Sequence, residues 1–142
     1  MSINKIYAWG STAAVVLAIL IGLLISGTPG KQRLMRFDEQ RVSDLKRVTY
    51  NVEQYRKDFK ALPESLEVMV GGRSGYNSME SLPRDPETKI VYIYSIASEN
   101  SYRLCAAFKL ASKAGDQSNF WDHDAGYYCY EIILPALPVE QG

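Results

Sequence analysis

The sequence predicts an α+β protein: one N-terminal transmembrane helix, then a long amphipathic helix packed on a small antiparallel sheet of about three strands. Three observations predict it. No charged side chain occurs between Ile6 and Gly30. Apolar residues then recur every three or four positions from residue 31 to 60, the period of one helix face. Beyond Pro86, three segments rich in Tyr, Ile, Val and Phe are separated by polar turns, as strands are. The resulting plan is an anchor and break over 1–30, an α+β domain over 31–134 and a disordered tail over 135–142, which carries two prolines.

The segment from Trp9 to Ile25 is apolar almost throughout, and a helix needs about 20 such residues to cross the hydrocarbon core. Tyr7 and Trp9 occupy the place of interfacial aromatics, and Lys5 and Lys31 bracket the span. Gly27-Thr28-Pro29-Gly30 breaks the helix at the far interface. A cleaved signal peptide would have an apolar core of about 7–15 residues and small residues before the cut. Here the core is longer, and Ser26-Gly27-Thr28 leads into Pro29, so a retained single-pass anchor is expected.

In the next helix Leu34, Phe37, Val42, Leu45, Val48, Val52, Tyr55 and Phe59 form the apolar stripe. Arg36, Gln40, Arg41, Asp44, Lys46, Arg47, Glu53, Arg56 and Lys57 fill the other faces and read as solvated charge. The helix ends before Pro63, and a short second helix is expected over about 64–70, with Leu66, Met69 and Val70 turned inward. The Gly-rich stretch 71–78 lacks a phosphate-cradle pattern and reads as a connector. Pro83-Arg84-Asp85-Pro86 is a turn that delivers the chain extended into the sheet.

The expected strands are Ile90–Ile96, Tyr102–Lys109 and Tyr127–Ile133, with a hairpin at Ser98–Ser101 and a long polar loop at Ala111–Gly126. Alternation places Tyr102, Leu104, Ala106 and Phe108 on the core face, with Arg103, Cys105, Ala107 and Lys109 opposite. Tyr128, Tyr130 and Ile132 share one face of the last strand, and Tyr127, Cys129 and Glu131 the other. The two cysteines, Cys105 and Cys129, therefore project from the same side of neighbouring strands. That placement favours a disulfide over two free buried thiols. A bridge would stabilise the domain by about 3 kcal/mol in the chain-entropy model.

Several short pieces together resemble a type IV pilin or type II secretion pseudopilin. They are Asp44-Leu45, Tyr55, Leu62-Pro63-Glu64-Ser65-Leu66, Asp85-Pro86-Glu87-Thr88, Tyr92-x-Tyr94 and Tyr102-x-Leu104, behind a hydrophobic N-terminal helix. Leu104-Cys105-Ala106-Ala107-Phe108 with Trp121-x-His123-x-x-Gly126-x-x-Cys129 also resembles the C-terminal domain of pilin-like bacterial membrane proteins. The resemblance runs from about residue 33 to 131 and implies a pilin-like domain. The basic leader ending in Gly and the Phe-Thr-Leu-x-Glu start of a processed pilin are missing, so the anchor is read as an ordinary one. Some pseudopilins hold calcium in a loop near the sheet, which makes Asp116, Asp122 and Asp124 the calcium candidates here. Their spacing is not that of an EF-hand, and they read as solvated loop acids. No metal or cofactor is expected.

Sixteen basic and sixteen acidic side chains cancel, which leaves no field to draw nucleic acid. The sole histidine, His123, would have to serve every role in a Ser-His-Asp system, and it reads instead as packed on the sheet edge. No small-molecule substrate and no catalysis are expected. The functional expectation is a non-catalytic, membrane-anchored domain that serves structure or binds a protein partner. Its side of the membrane is expected from the disulfide to be extracytoplasmic, or periplasmic in a bacterium. Lys31, Arg33, Arg36 and Arg41 after the span favour the alternative, an accessory subunit of a membrane complex with a cytoplasmic domain and reduced cysteines.

Overall fold

The computed structural model describes residues 3–26, 29–71, 79–112 and 119–136. The chain divides into two compact units, Met1–Leu34 and Met35–Gly142. In the first, α1 spans Ile3–Ser26. Its 24 residues, at about 1.5 Å rise each, reach about 36 Å and exceed the roughly 30 Å hydrocarbon core. Every side chain from Trp9 to Leu24 is exposed. Among the described residues, this is the one helical segment long and apolar enough to cross a membrane.

Helix α2 spans Pro29–Phe59. It starts two residues earlier than expected, because proline suits the first turn of a helix, where its missing N–H has no partner to lose. Gly27 and Thr28, the first half of the expected break, lie outside the described residues. The helix ends with Lys60 in the left-handed region (φ 57°), its N–H donating to the Arg56 carbonyl at 2.9 Å. The expected second helix is a single 3-10 turn, η1, over Leu66–Met69, which still buries Leu66 and Met69. The connector 72–78, residues 113–118 of the polar loop and the tail 137–142 lie outside the described residues.

Three strands form one antiparallel sheet in the order β1 (Ile93–Ser98), β2 (Ser101–Phe108) and β3 (Gly126–Ile133). Glu99 and Asn100 make the tight hairpin between β1 and β2. The first strand begins three residues later than expected. Residues 84–91 close on themselves first: Asp85 and Ile90 share a backbone hydrogen bond of 2.9 Å, and Arg84 bridges Val91. Ile90 is left 66% exposed.

The core lies between α2 and one face of the sheet. Leu45, Val48 and Val52 are fully buried, as are Tyr102 and Leu104, and Ala106, Phe108, Tyr130 and Ile132 complete that face. Each buried aliphatic or aromatic side chain contributes about 1.5–3 kcal/mol. The expected stripe is buried only in its middle. Leu34, Phe37, Val42 and Tyr55 are half-buried, and Phe59 is exposed. Two arginines assigned to the solvated face, Arg41 and Arg56, are buried instead.

This packing makes a direct prediction. Leu45→Ala removes a fully buried side chain and should cost about 2–5 kcal/mol. Val52→Asp, an unpaired buried charge, should prevent cooperative folding. Phe59→Ala should have a much smaller effect. Chemical denaturation of the full chain in detergent micelles, followed by near-ultraviolet circular dichroism, checks the order.

Candidate functional site

Arg41, Leu45, Val48, Val52 and Arg56 follow one another at intervals of four, three, four and four residues, so they share one face of α2. The two arginines therefore cap the apolar stripe at either end. The long-range partners of each decide how its charge is accommodated.

Arg41 is 1% exposed. Its guanidinium donates to Asp85 through Nε (2.5 Å) and Nη2 (3.2 Å), to Asp38 through Nη1 (2.7 Å) and to Glu87 through Nη2 (3.0 Å). Asp38 also accepts the backbone N–H groups of Lys109 and Leu110, at 2.9 to 3.1 Å. Asp85 accepts those of Glu87 (2.9 Å) and Thr88 (2.8 Å). Lys109 reaches Glu87 at 3.2 Å. One cation thus joins α2, the Asp85–Thr88 turn and the exit of β2. Burial opposes the charge on Asp85, but hydrogen bonds from Arg41 and from the Thr88 and Glu87 amides override it and hold the carboxyl well below its usual range. Glu87 is lowered by its hydrogen bonds from Arg41 and Lys109. Burial opposes the charge on Arg41 as well, and hydrogen bonds to its three carboxylates more than offset that, so the guanidinium stays protonated. Next to this centre the Tyr92 hydroxyl donates to Asp44 at 2.9 Å. Its own ionisation is pushed far up by burial and by that carboxylate.

Arg56, at the other end, is 5% exposed. It donates to the Pro135 carbonyl at 2.9 Å and to the Asn100 side-chain oxygen, and both acceptors are neutral. Among the described residues no carboxylate stands within ion-pair reach of it.

Cys105 and Cys129 face each other directly across β2 and β3, with their sulfurs 2.06 Å apart, at bonding distance. They lie on the face of the sheet away from α2, where Arg103 and Glu131 make an exposed ion pair at 3.5 Å. The polar loop is fastened beside this sheet. His123 stacks on Phe108 with ring centroids 3.6 Å apart, and its backbone exchanges hydrogen bonds with Ser112. The Tyr130 hydroxyl donates to the Trp121 carbonyl at 2.9 Å, and the Lys46 ammonium sits 5.8 Å from the Trp121 ring centre. Of the calcium candidates, Asp122 accepts the Asn119 N–H at 2.6 Å and so closes a loop turn, Asp124 is exposed, and Asp116 lies outside the described residues. Among the described residues no three His, Cys, Asp or Glu side chains converge on a common point.

Arg41 and Arg56, expected on the solvated face, are buried charged residues that anchor α2. A signal was present: both continue the three-and-four spacing of the stripe. No protein-family model, curated protein or solved structure matches this chain.

The Arg41 centre sets the acid stability of the domain. Asp85 and Glu87 bind their protons less readily folded than unfolded, so the stability they lend is fully present above the ordinary carboxylate range of about pH 4. It is lost as pH falls through their lower folded values. Denaturation midpoints should therefore hold steady from pH 7 to about 5 and drop below about 4. Arg41→Met strands buried carboxylates and should cost about 3–5 kcal/mol at pH 7. That deficit should shrink in acid, as the stranded carboxyls take up protons.

Proposed function

We propose that the protein is a membrane-anchored, non-catalytic domain of pilin-like build that serves structure or binds a protein partner outside the cytoplasm. The observation that carries the reading is α1: a helix longer than a bilayer core, free of charge and exposed from Trp9 to Leu24, preceding a domain that has its own core. A water-exposed stretch of that kind is stable only where lipid or another apolar surface covers it. The order of elements, a long helix followed by a small antiparallel sheet, supports the likeness to pilins. The directly opposed cysteines support an oxidising compartment, since such bridges persist there and are reduced in the cytosol. Lys31, Arg33 and Arg36, close behind α1, favour the second reading, a cytoplasmic accessory subunit.

Two measurements test the reading. The full chain should stay in the membrane pellet after carbonate washing, and a chain lacking residues 1–30 should appear in the supernatant, folded. Protein alkylated before reduction should carry no label on Cys105 or Cys129, and a topology reporter fused to the C-terminus should signal from outside the cytoplasm. Two labelled cysteines with a cytoplasmic reporter signal would transfer support to the second reading.

A further inference from the structure

The two ends of the buried stripe of α2 treat their buried cations differently. Arg41 has three carboxylates. Arg56, nearly as buried, donates among the described residues to the neutral oxygens of Pro135 and Asn100 and to no carboxylate. A buried cation without a counter-charge is costly, and its position in the fold matters for that reason. Arg56 lines an open notch of about 460 Å³ between the end of α2 and the β1–β2 hairpin. Lys60, Leu62, Ile96, Ser98, Asn100 and Ala136 are among the other residues of its wall. Glu99, at the tip of the hairpin, is the one carboxylate on the rim among the described residues, and it pairs with neither cation. The volume is within the usual range for ligand sites, and the balance of charge in the wall is positive.

The same notch opens along β1, which is an edge strand. Natural sheets blunt such edges with charged side chains, proline or a covering element. Ile93-Tyr94-Ser95-Ile96-Ala97-Ser98 contains no charge and no proline, and five of its six residues are exposed. Alternate residues of an antiparallel edge strand turn their N–H and C=O groups away from the neighbouring strand. Ile96 pairs with the fully buried Tyr102 and so belongs to the α2 side of the sheet, yet it is 48% exposed. The helix ends before it covers Ile96. What is exposed is thus a strand edge with no further strand beside it among the described residues, an apolar floor beside it and a cation-rich recess at its end.

We propose that an extended peptide segment of a protein partner adds along the free edge of β1, with an acidic side chain of that segment seated in the notch against Arg56 and Lys60. Strand addition supplies main-chain hydrogen bonds, and the recess supplies selectivity for the acid. This assignment rests on the protein-interaction reading and gives the partner its chemistry.

The test uses the full chain in detergent micelles and two dye-labelled, end-blocked hexapeptides, Val-Thr-Val-Glu-Val-Thr and its twin with Gln in place of Glu. Fluorescence anisotropy should show the acidic peptide binding at least about fivefold more tightly than the twin. Lys60→Glu, at an exposed position, should abolish that preference. Ile96→Lys, which places a charge on the edge, should remove binding of both peptides. Neither variant should move the thermal midpoint, so lost binding cannot be lost folding. Equal binding of the twins, binding indifferent to both variants, or no binding overturns the proposal. So does displacement of the acidic peptide by an equal concentration of acetate, which would make the notch a site for free small acids. Concentration-dependent self-association that Ile96→Lys abolishes would make a second copy the occupant and overturns it too. A partner that co-purifies equally with wild type and Ile96→Lys would refute this surface and leave the protein-interaction reading intact.

Discussion

The Arg41 centre is the constraint on which the rest of the domain depends. A guanidinium taken out of water loses solvation worth many kcal/mol, and only close, well-aligned acceptors restore it. Here the three acceptors come from two places in the chain: Asp38 one turn earlier in α2, and Asp85 and Glu87 in the turn before the sheet. Asp38 in turn holds the amides at the exit of β2. None of these segments can shift without leaving a buried charge unpaired. The turn at Asp85 therefore fixes where the chain enters β1, and Asp38 fixes where it leaves β2.

The C-terminal end of α2 is fastened by weaker means. Arg56 joins the helix to the β1–β2 hairpin through Asn100 and to the end of β3 through Pro135, and the Leu134 N–H donates to the Asn100 carbonyl at 2.8 Å. Between the two arginines the buried stripe is apolar, with Leu45, Val48 and Val52 against Tyr102 and Leu104. Position and register are thus specified by polar contacts at the ends, while the drive to pack comes from the middle. Among the described residues, the carboxylates gather at Arg41 and none pairs with Arg56.

The remaining features fasten the sheet and the loop beside it. The cysteine pair staples β2 to β3 on the face that α2 does not cover. The polar loop is pinned by ring stacking on Phe108 and by the Tyr130 hydroxyl, and Asp122 is spent on a turn within it. Arg41 and Asp85 are each held by several hydrogen-bond partners.

Periodicity alone determined a good deal of this protein. A charge-free run of helical length predicts α1. A three-and-four spacing predicts α2. A two-residue alternation predicts the core faces of β2 and β3 and the matching side for Cys105 and Cys129, because these are properties of neighbouring residues on regular backbones. Periodicity could not say whether Arg41 and Arg56, which fall on the same stripe, point into water or into the core. That depends on acceptors 44 residues or more away in the chain. The start of β1 was hidden for the same reason, since it follows from how residues 84–91 fold around Asp85. A charge is buried only where distant partners converge on it, and that convergence exists only once the chain has folded.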